Sequence, residues 1–162
     1  MMRRVILLVL AAILVFSLFS CGKDNEKSEY LHTYCEIAFD LPISFISVES
    51  QEFDALFTDG EAFLGITRLS FVATDNSGVL NGSMFPDAVA RSYAESQDID
   101  VNIIDEESYS YFVCTEGGYY NQFVFYRSKY AHFVVRFMCA SEKESKYAKA
   151  FMKYAREAIF TQ

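Results

Sequence analysis

Apolar and polar positions alternate from Cys35 onward. In "CEIAFDLP", Cys35, Ile37, Phe39 and Leu41 fall on one side, with Glu36, Ala38 and Asp40 on the other. A period of two predicts a half-buried strand, closed by Pro42, which cannot donate to a ladder. "FDALF" and "EAFLGITRLSFVA" predict two more strands around "TDG", where Asp59-Gly60 is a strong hairpin signal. "TDNSGVLNGS" then reads as a loop. Pro86 suits a first helical position, and Phe85, Val89 and Tyr93 recur every four residues behind it.

The segment 101–140 reads as one or two short strands followed by a meander, with tight turns at Gly117-Gly118 and at "SKY". A two-residue turn at Gly117-Gly118 sets Phe112 beside Phe123 and Cys114 beside Asn121. A three-residue loop pairing Arg127 with Ala131 sets Phe125 against Phe133 and Phe123 against Val135, with Tyr126 against His132 on the other face. One face is then nearly all apolar and the other mixed but aromatic, so the sheet needs cover on both sides. The chain ends in "SEKESKYAKAFMKYAREAIF", where Ser141 and Glu144 match a capping box. Tyr147, Phe151, Tyr154 and Ala158 form a helical apolar stripe. The expected class is α+β, an antiparallel sheet flanked by helices in three α/β/α layers.

Ahead of this domain the pattern changes character. Val5–Phe19 is apolar apart from Ser17, behind Arg3 and Arg4. It suits a signal-peptide core better than a spanning helix, which needs roughly 20 apolar residues. Leu18, Phe19, Ser20 and Cys21 resemble the lipobox of bacterial lipoproteins, although Phe19 stands where that motif is usually small. The resemblance implies lipidation of Cys21. Two or three acyl chains hold firmly, since each buried methylene contributes about 0.8 kcal/mol. A plain secreted protein and an uncleaved anchor are the alternatives. The expected organisation is a signal peptide at 1–20, an acylated, disordered polar tether at 21–33, and one α+β domain at 34–162. "KDNE" after Gly22 looks like the acidic export tags of surface lipoproteins, which would place the protein at the outer membrane or cell surface of a Gram-negative source.

Charge narrows the partners. The chain carries 14 Lys+Arg and 22 Asp+Glu, a formal −8. Removing residues 1–20 takes two arginines and no acids, which leaves about −10. Nucleic acid is a poor partner for such a surface. If Cys21 is acylated, Cys35, Cys114 and Cys139 remain, an odd count with at least one free thiol. There is no C-x-x-C, and only His32 and His132 could join a metal cluster, so no cofactor or zinc is expected. "DIDVN" at Asp98–Asn102 starts like a calcium loop, but Ile103 and Tyr109 stand where glycine and glutamate are needed. Cys114 and His132 fall on opposite faces in the expected register, which disfavours a catalytic dyad. Cys114 and Cys139 share a face two strands apart, too far to bond.

The opening "IAFDLPISF", the helix after a long loop, the meander and the terminal "KAFMKYAREAIF" together resemble the PsbP-like fold. Its members include a photosystem subunit, a nuclear import factor and many bacterial lipoproteins. The resemblance implies a small binding or assembly domain with no shared catalytic constellation. Candidate partner-binding residues are the aromatics Tyr119, Tyr120, Tyr126 and Tyr130, which suit a sugar ring or a protein. Lys146, Lys149, Lys153 and Arg156, on one side of the last helix, suit an acidic partner. The expected function is a lipid-anchored, non-catalytic envelope module for a protein or glycan. The alternatives are an envelope hydrolase with a cleft near the 74–83 loop, and a carbohydrate-binding accessory lipoprotein.

Overall fold

The computed structural model describes residues 29–71 and 84–161. Cys21, the apolar run before it and the 74–83 loop lie outside the described residues. Strands β1 (Glu29–Tyr34) and β2 (Ile37–Pro42) form a hairpin, and β10 (Ile159–Phe160) pairs on the far side of β2. The second sheet is antiparallel and seven-stranded, in the order β3-β4-β5-β9-β8-β7-β6. Its strands are β3 (Ile46–Val48), β4 (Ala55–Thr58), β5 (Ala62–Ser70), β6 (Ile104–Asp105), β7 (Tyr109–Glu116), β8 (Tyr119–Arg127) and β9 (Ala131–Ala140). Helix α1 (Pro86–Ser96) follows β5, and α2 (Glu144–Arg156) follows β9.

Local chemistry accounts for the turns. Between β4 and β5 the Asp59 carboxylate accepts the N–H groups of Glu61 (2.9 Å) and Ala62 (2.7 Å), while Gly60 takes φ +89°. Gly117 and Gly118 supply the two left-handed residues between β7 and β8. The pairs Phe112↔Phe123 and Cys114↔Asn121 follow as expected.

The alternation along β8 separates two cores. Tyr120, Val124 and Tyr126 face α2 and β2, packing with Phe137, Phe151, Phe39 and Leu41. Phe123 and Phe125 face the other way, against Val89, Ala90 and Ala94 of α1. The molecule is thus α+β and dominated by two antiparallel sheets, with α1 contributing to one core and α2 to the other.

Several expectations are corrected. Residues 29–33 are not part of a disordered tether. They pair along β2, from Glu29↔Pro42 to Tyr34↔Ile37. Cys35 leaves the strand face and sits exposed in the β1–β2 turn at φ +49°. The β8–β9 register is shifted by one: Arg127 pairs with His132, Phe125 with Val134, and Tyr126 with Phe133. The loop therefore has four residues. Ser128 closes it, its hydroxyl accepting the N–H groups of Tyr130 and Ala131, each at 3.1 Å. The capping box does not form. A 3₁₀ turn at Ser141–Lys143 moves the helix start to Glu144, and the buried Ser141 hydroxyl caps nothing.

Candidate functional site

The amphipathic period of α2 sets its geometry. Tyr147, Phe151, Tyr154 and Ala155 are buried against the sheet. That turns Lys146, Lys149, Lys153 and Arg156 to solvent. Lys146 is already engaged. It and Lys143 (2.6 Å) bind the two carboxylate oxygens of Glu61, and the Tyr147 hydroxyl reaches Glu61 and Asp59, each at 3.0 Å. Hydrogen bonds from Lys143 and Lys146, then from Tyr147, hold the Glu61 carboxyl down at about 2. This network ties the first turn of α2 to the β4–β5 turn.

Lys149, Lys153 and Arg156 remain together. With Tyr120, Ala148, Met152 and Glu157 they line a shallow groove of about 350 Å³ between α2 and β8. Lys153 meets Glu157 at 3.7 Å. Lys149 and Arg156 have no ion pair among the described residues. Four expected residues, from two elements, thus converge on one surface.

The tyrosines divide differently. Tyr126 is buried and its hydroxyl donates to the Ala155 carbonyl at 2.7 Å, which bolts the end of α2 to the sheet. Tyr120 is mostly core, stacked on Phe151 at 6.4 Å, and reaches only the groove floor. Tyr119 and Tyr130 are 45% and 55% exposed, but they flank the two ends of the nine-residue β8, roughly 26 Å apart along the strand. They form no common aromatic patch.

A second concavity, of about 510 Å³, lies among the β1–β2 turn, the β8–β9 loop and β10. Glu36, Arg127, Ser128, Lys129, Tyr130, Phe160 and Thr161 line it. Arg68 of β5 grips Glu36 with two bonds, Nη2–Oε1 at 3.0 Å and Nε–Oε2 at 3.2 Å, and the Ser128 hydroxyl donates to the same carboxylate at 3.1 Å. Burial alone would raise the Glu36 carboxyl, but the Arg68 and Ser128 bonds outweigh it and lower it. The Thr161 N–H donates to the Glu36 carbonyl at 2.9 Å, which pins β10 to the turn. Sequence reasoning singled out only Tyr130 here. Glu36 and Arg68 stand 32 residues apart, and no local pattern joins them.

The cysteines and His132 lie differently from expectation. Cys139 pairs with Tyr120 on the α2 face, so it and Cys114 are on opposite faces, and all three described cysteines are free thiols. Cys114 and His132 share the α1 face, contrary to the expected register. Cys114 aligns through Asn121 with Met138, six residues along β9 from His132. That separation is roughly 20 Å, so distance keeps them from acting as nucleophile and base. No cluster of three or more His, Cys, Asp or Glu could hold a metal among the described residues.

No family model and no curated protein matches the sequence. In fold, the chain is similar to the solution structure of cyanobacterial PsbP (CyanoP) from Synechocystis sp. PCC 6803, with a TM-score of 0.57 and 11% identity over 87% of this chain and 97% of that one. The likeness shows a PsbP-like fold, as the sequence pattern led us to expect, and carries nothing about activity.

Proposed function

We propose that the protein is a lipid-anchored envelope protein whose domain acts as a small, non-catalytic binding or assembly module. It would stand at the outer membrane or cell surface of a Gram-negative source, held by acylated Cys21. The domain in this reading is a helix–sheet–helix unit that presents the outer face of α2 to an acidic partner. The observation that carries it is the convergence of Tyr120, Lys149, Lys153 and Arg156 on one groove. Three cations on one helix face are notable in a chain of formal charge −8. They favour an acidic partner and speed its encounter. The helix is also fixed at both ends, by Glu61 and by Tyr126. A surface held in this way loses little entropy on docking.

Two measurements test the two halves of this reading. A photo-crosslinking residue at Met152 in the full chain, expressed in its own cells, should give a discrete adduct. The Lys149→Glu/Lys153→Glu/Arg156→Glu chain should lose it. An adduct that survives charge reversal would refute the docking face. For the anchor, Cys21→Ser should leave the membrane fraction or accumulate as uncleaved precursor. Normal processing and partitioning of that variant would refute lipidation.

A further inference from the structure

The cleft at the β8–β9 loop combines features that the α2 groove lacks. Its apolar surface is aromatic and firmly seated. The Phe160 ring is 37% exposed and rests on Tyr126 (5.7 Å) and Phe133 (6.3 Å) of the core. Tyr130 forms a second wall, with the Lys129 ammonium 5.2 Å from its ring centre. A flat apolar body fits between such surfaces.

Its charge is as specific. The one carboxylate among the described lining residues, Glu36, is neutralised from behind by Arg68 and bonded by Ser128. Arg127 and Lys129 both line the cleft, and neither has an ion pair among the described residues. An acidic molecule repels anions over most of its surface. Two cations with no ion pair among the described residues, beside an aromatic floor, therefore mark one place where an anion is favoured. Arginine is suited to a carboxylate, because its planar fork can bond both oxygens. The volume, about 510 Å³, lies within the range of small-molecule sites, roughly 300–1,000 Å³.

We propose that this cleft is a binding site for a small aromatic carboxylate, its ring packed on Phe160 and Tyr130 and its carboxylate held by Arg127 and Lys129. The site is independent of the docking face on α2 and of Cys21.

The test is calorimetric titration of the full chain in uncharged detergent micelles with 2-naphthoate, after subtraction of titrations into empty micelles. The neutral 2-naphthylmethanol and acetate, which lacks the ring, are run alongside. Saturable one-site binding of 2-naphthoate is expected, at least about tenfold tighter than either comparison compound. Arg127→Gln should weaken it by about tenfold or more. Arg91→Gln, which removes an equal charge from α1, should leave it unchanged. Arg127 is exposed, so its variant keeps the fold, and a circular dichroism melt checks this. Phe160→Ala should weaken 2-naphthoate and the neutral alcohol alike. No saturation by about 1 mM, equal affinity for the alcohol, or equal losses in Arg127→Gln and Arg91→Gln would each overturn the proposal.

Discussion

Replacing Gln122 with methionine should make this protein more stable, against the usual direction of core substitutions. Gln122 is 0% exposed. It stands on β8 between Val113 of β7 and Phe137 of β9, on the same face as Tyr120 and Val124. Its Nε2 and Oε1 have no hydrogen-bond partner among the described residues. A buried polar group left unsatisfied costs about 1–3 kcal/mol. Methionine keeps the unbranched shape and removes the amide, so little packing should be lost. A gain of about 1–3 kcal/mol follows. With a urea m-value of about 1–3 kcal/mol/M, the midpoint should rise on the order of 1 M with m unchanged. The assay is urea unfolding of a soluble chain begun at Gly22, followed by far-ultraviolet circular dichroism. Gln122→Glu is the companion variant and should destabilise, because it buries a carboxyl with no partner. A Gln122→Met midpoint at or below that of the parent would refute the reasoning and show that the amide is bonded in solution.

Phe151→Ala should cost about 3–5 kcal/mol. Phe151 is fully buried among Phe137 (5.3 Å), Tyr147 (5.6 Å) and Tyr120 (6.4 Å), whereas exposed Lys149→Ala should change stability by only about 0.5 kcal/mol; urea melts that fail to separate the two would mean α2 is not packed on the sheet. Alkylation of the unreduced protein, read by mass spectrometry, should label exposed Cys35 first and buried Cys139 last, since burial pushes the Cys114 and Cys139 thiols up. A Cys114–Cys139 crosslink would contradict the strand register. Glu61, held at about 2 against an ordinary 4.5, contributes stability that is full above the ordinary value and fades as pH falls toward 2. Glu61→Gln should therefore narrow its gap from the parent across that acid window; a gap independent of pH would show that the Lys143–Lys146–Tyr147 network does not hold in solution.

What was legible in the chain was whatever rests on local chemistry. Asp59-Gly60, Gly117-Gly118 and Pro86 each demand a particular backbone, and each stands where its turn or helix start requires it. The β8–β9 register was illegible because Phe133, Val134 and Val135 are all apolar. Either face of β9 can go inward, so hydrophobic pattern does not pin the pairing. The Ser128 hydroxyl decides it by adding Ala131 to the loop. β1 escaped notice because "EYLHTY" is mostly polar or amphipathic, and only β2 makes it a strand. The α2 groove was half visible, since helical spacing gathers Lys149, Lys153 and Arg156. Tyr120 joins them only through tertiary packing. The Glu36–Arg68–Ser128 cluster brings three distant segments together, and nothing in any one of them announces the others.

The placement of β1 also has a mechanical meaning. It is an edge strand of its sheet and, among the described strands, pairs with β2 alone. The chain enters it at Glu29, opposite Pro42, while the Cys35–Glu36 turn lies at the far end. A tug on the N-terminal side, directed along β1 away from that turn, strains all six residue pairs of the hairpin at once in shear. A sideways tug opens them one after another from Glu29. An anchor at Cys21 would transmit drag to the domain by this route. The same hairpin would then be stiff under lateral flow parallel to the strand and compliant across it, and peeling β1 away would draw Tyr34 off the α2-side core and His32 off Phe57.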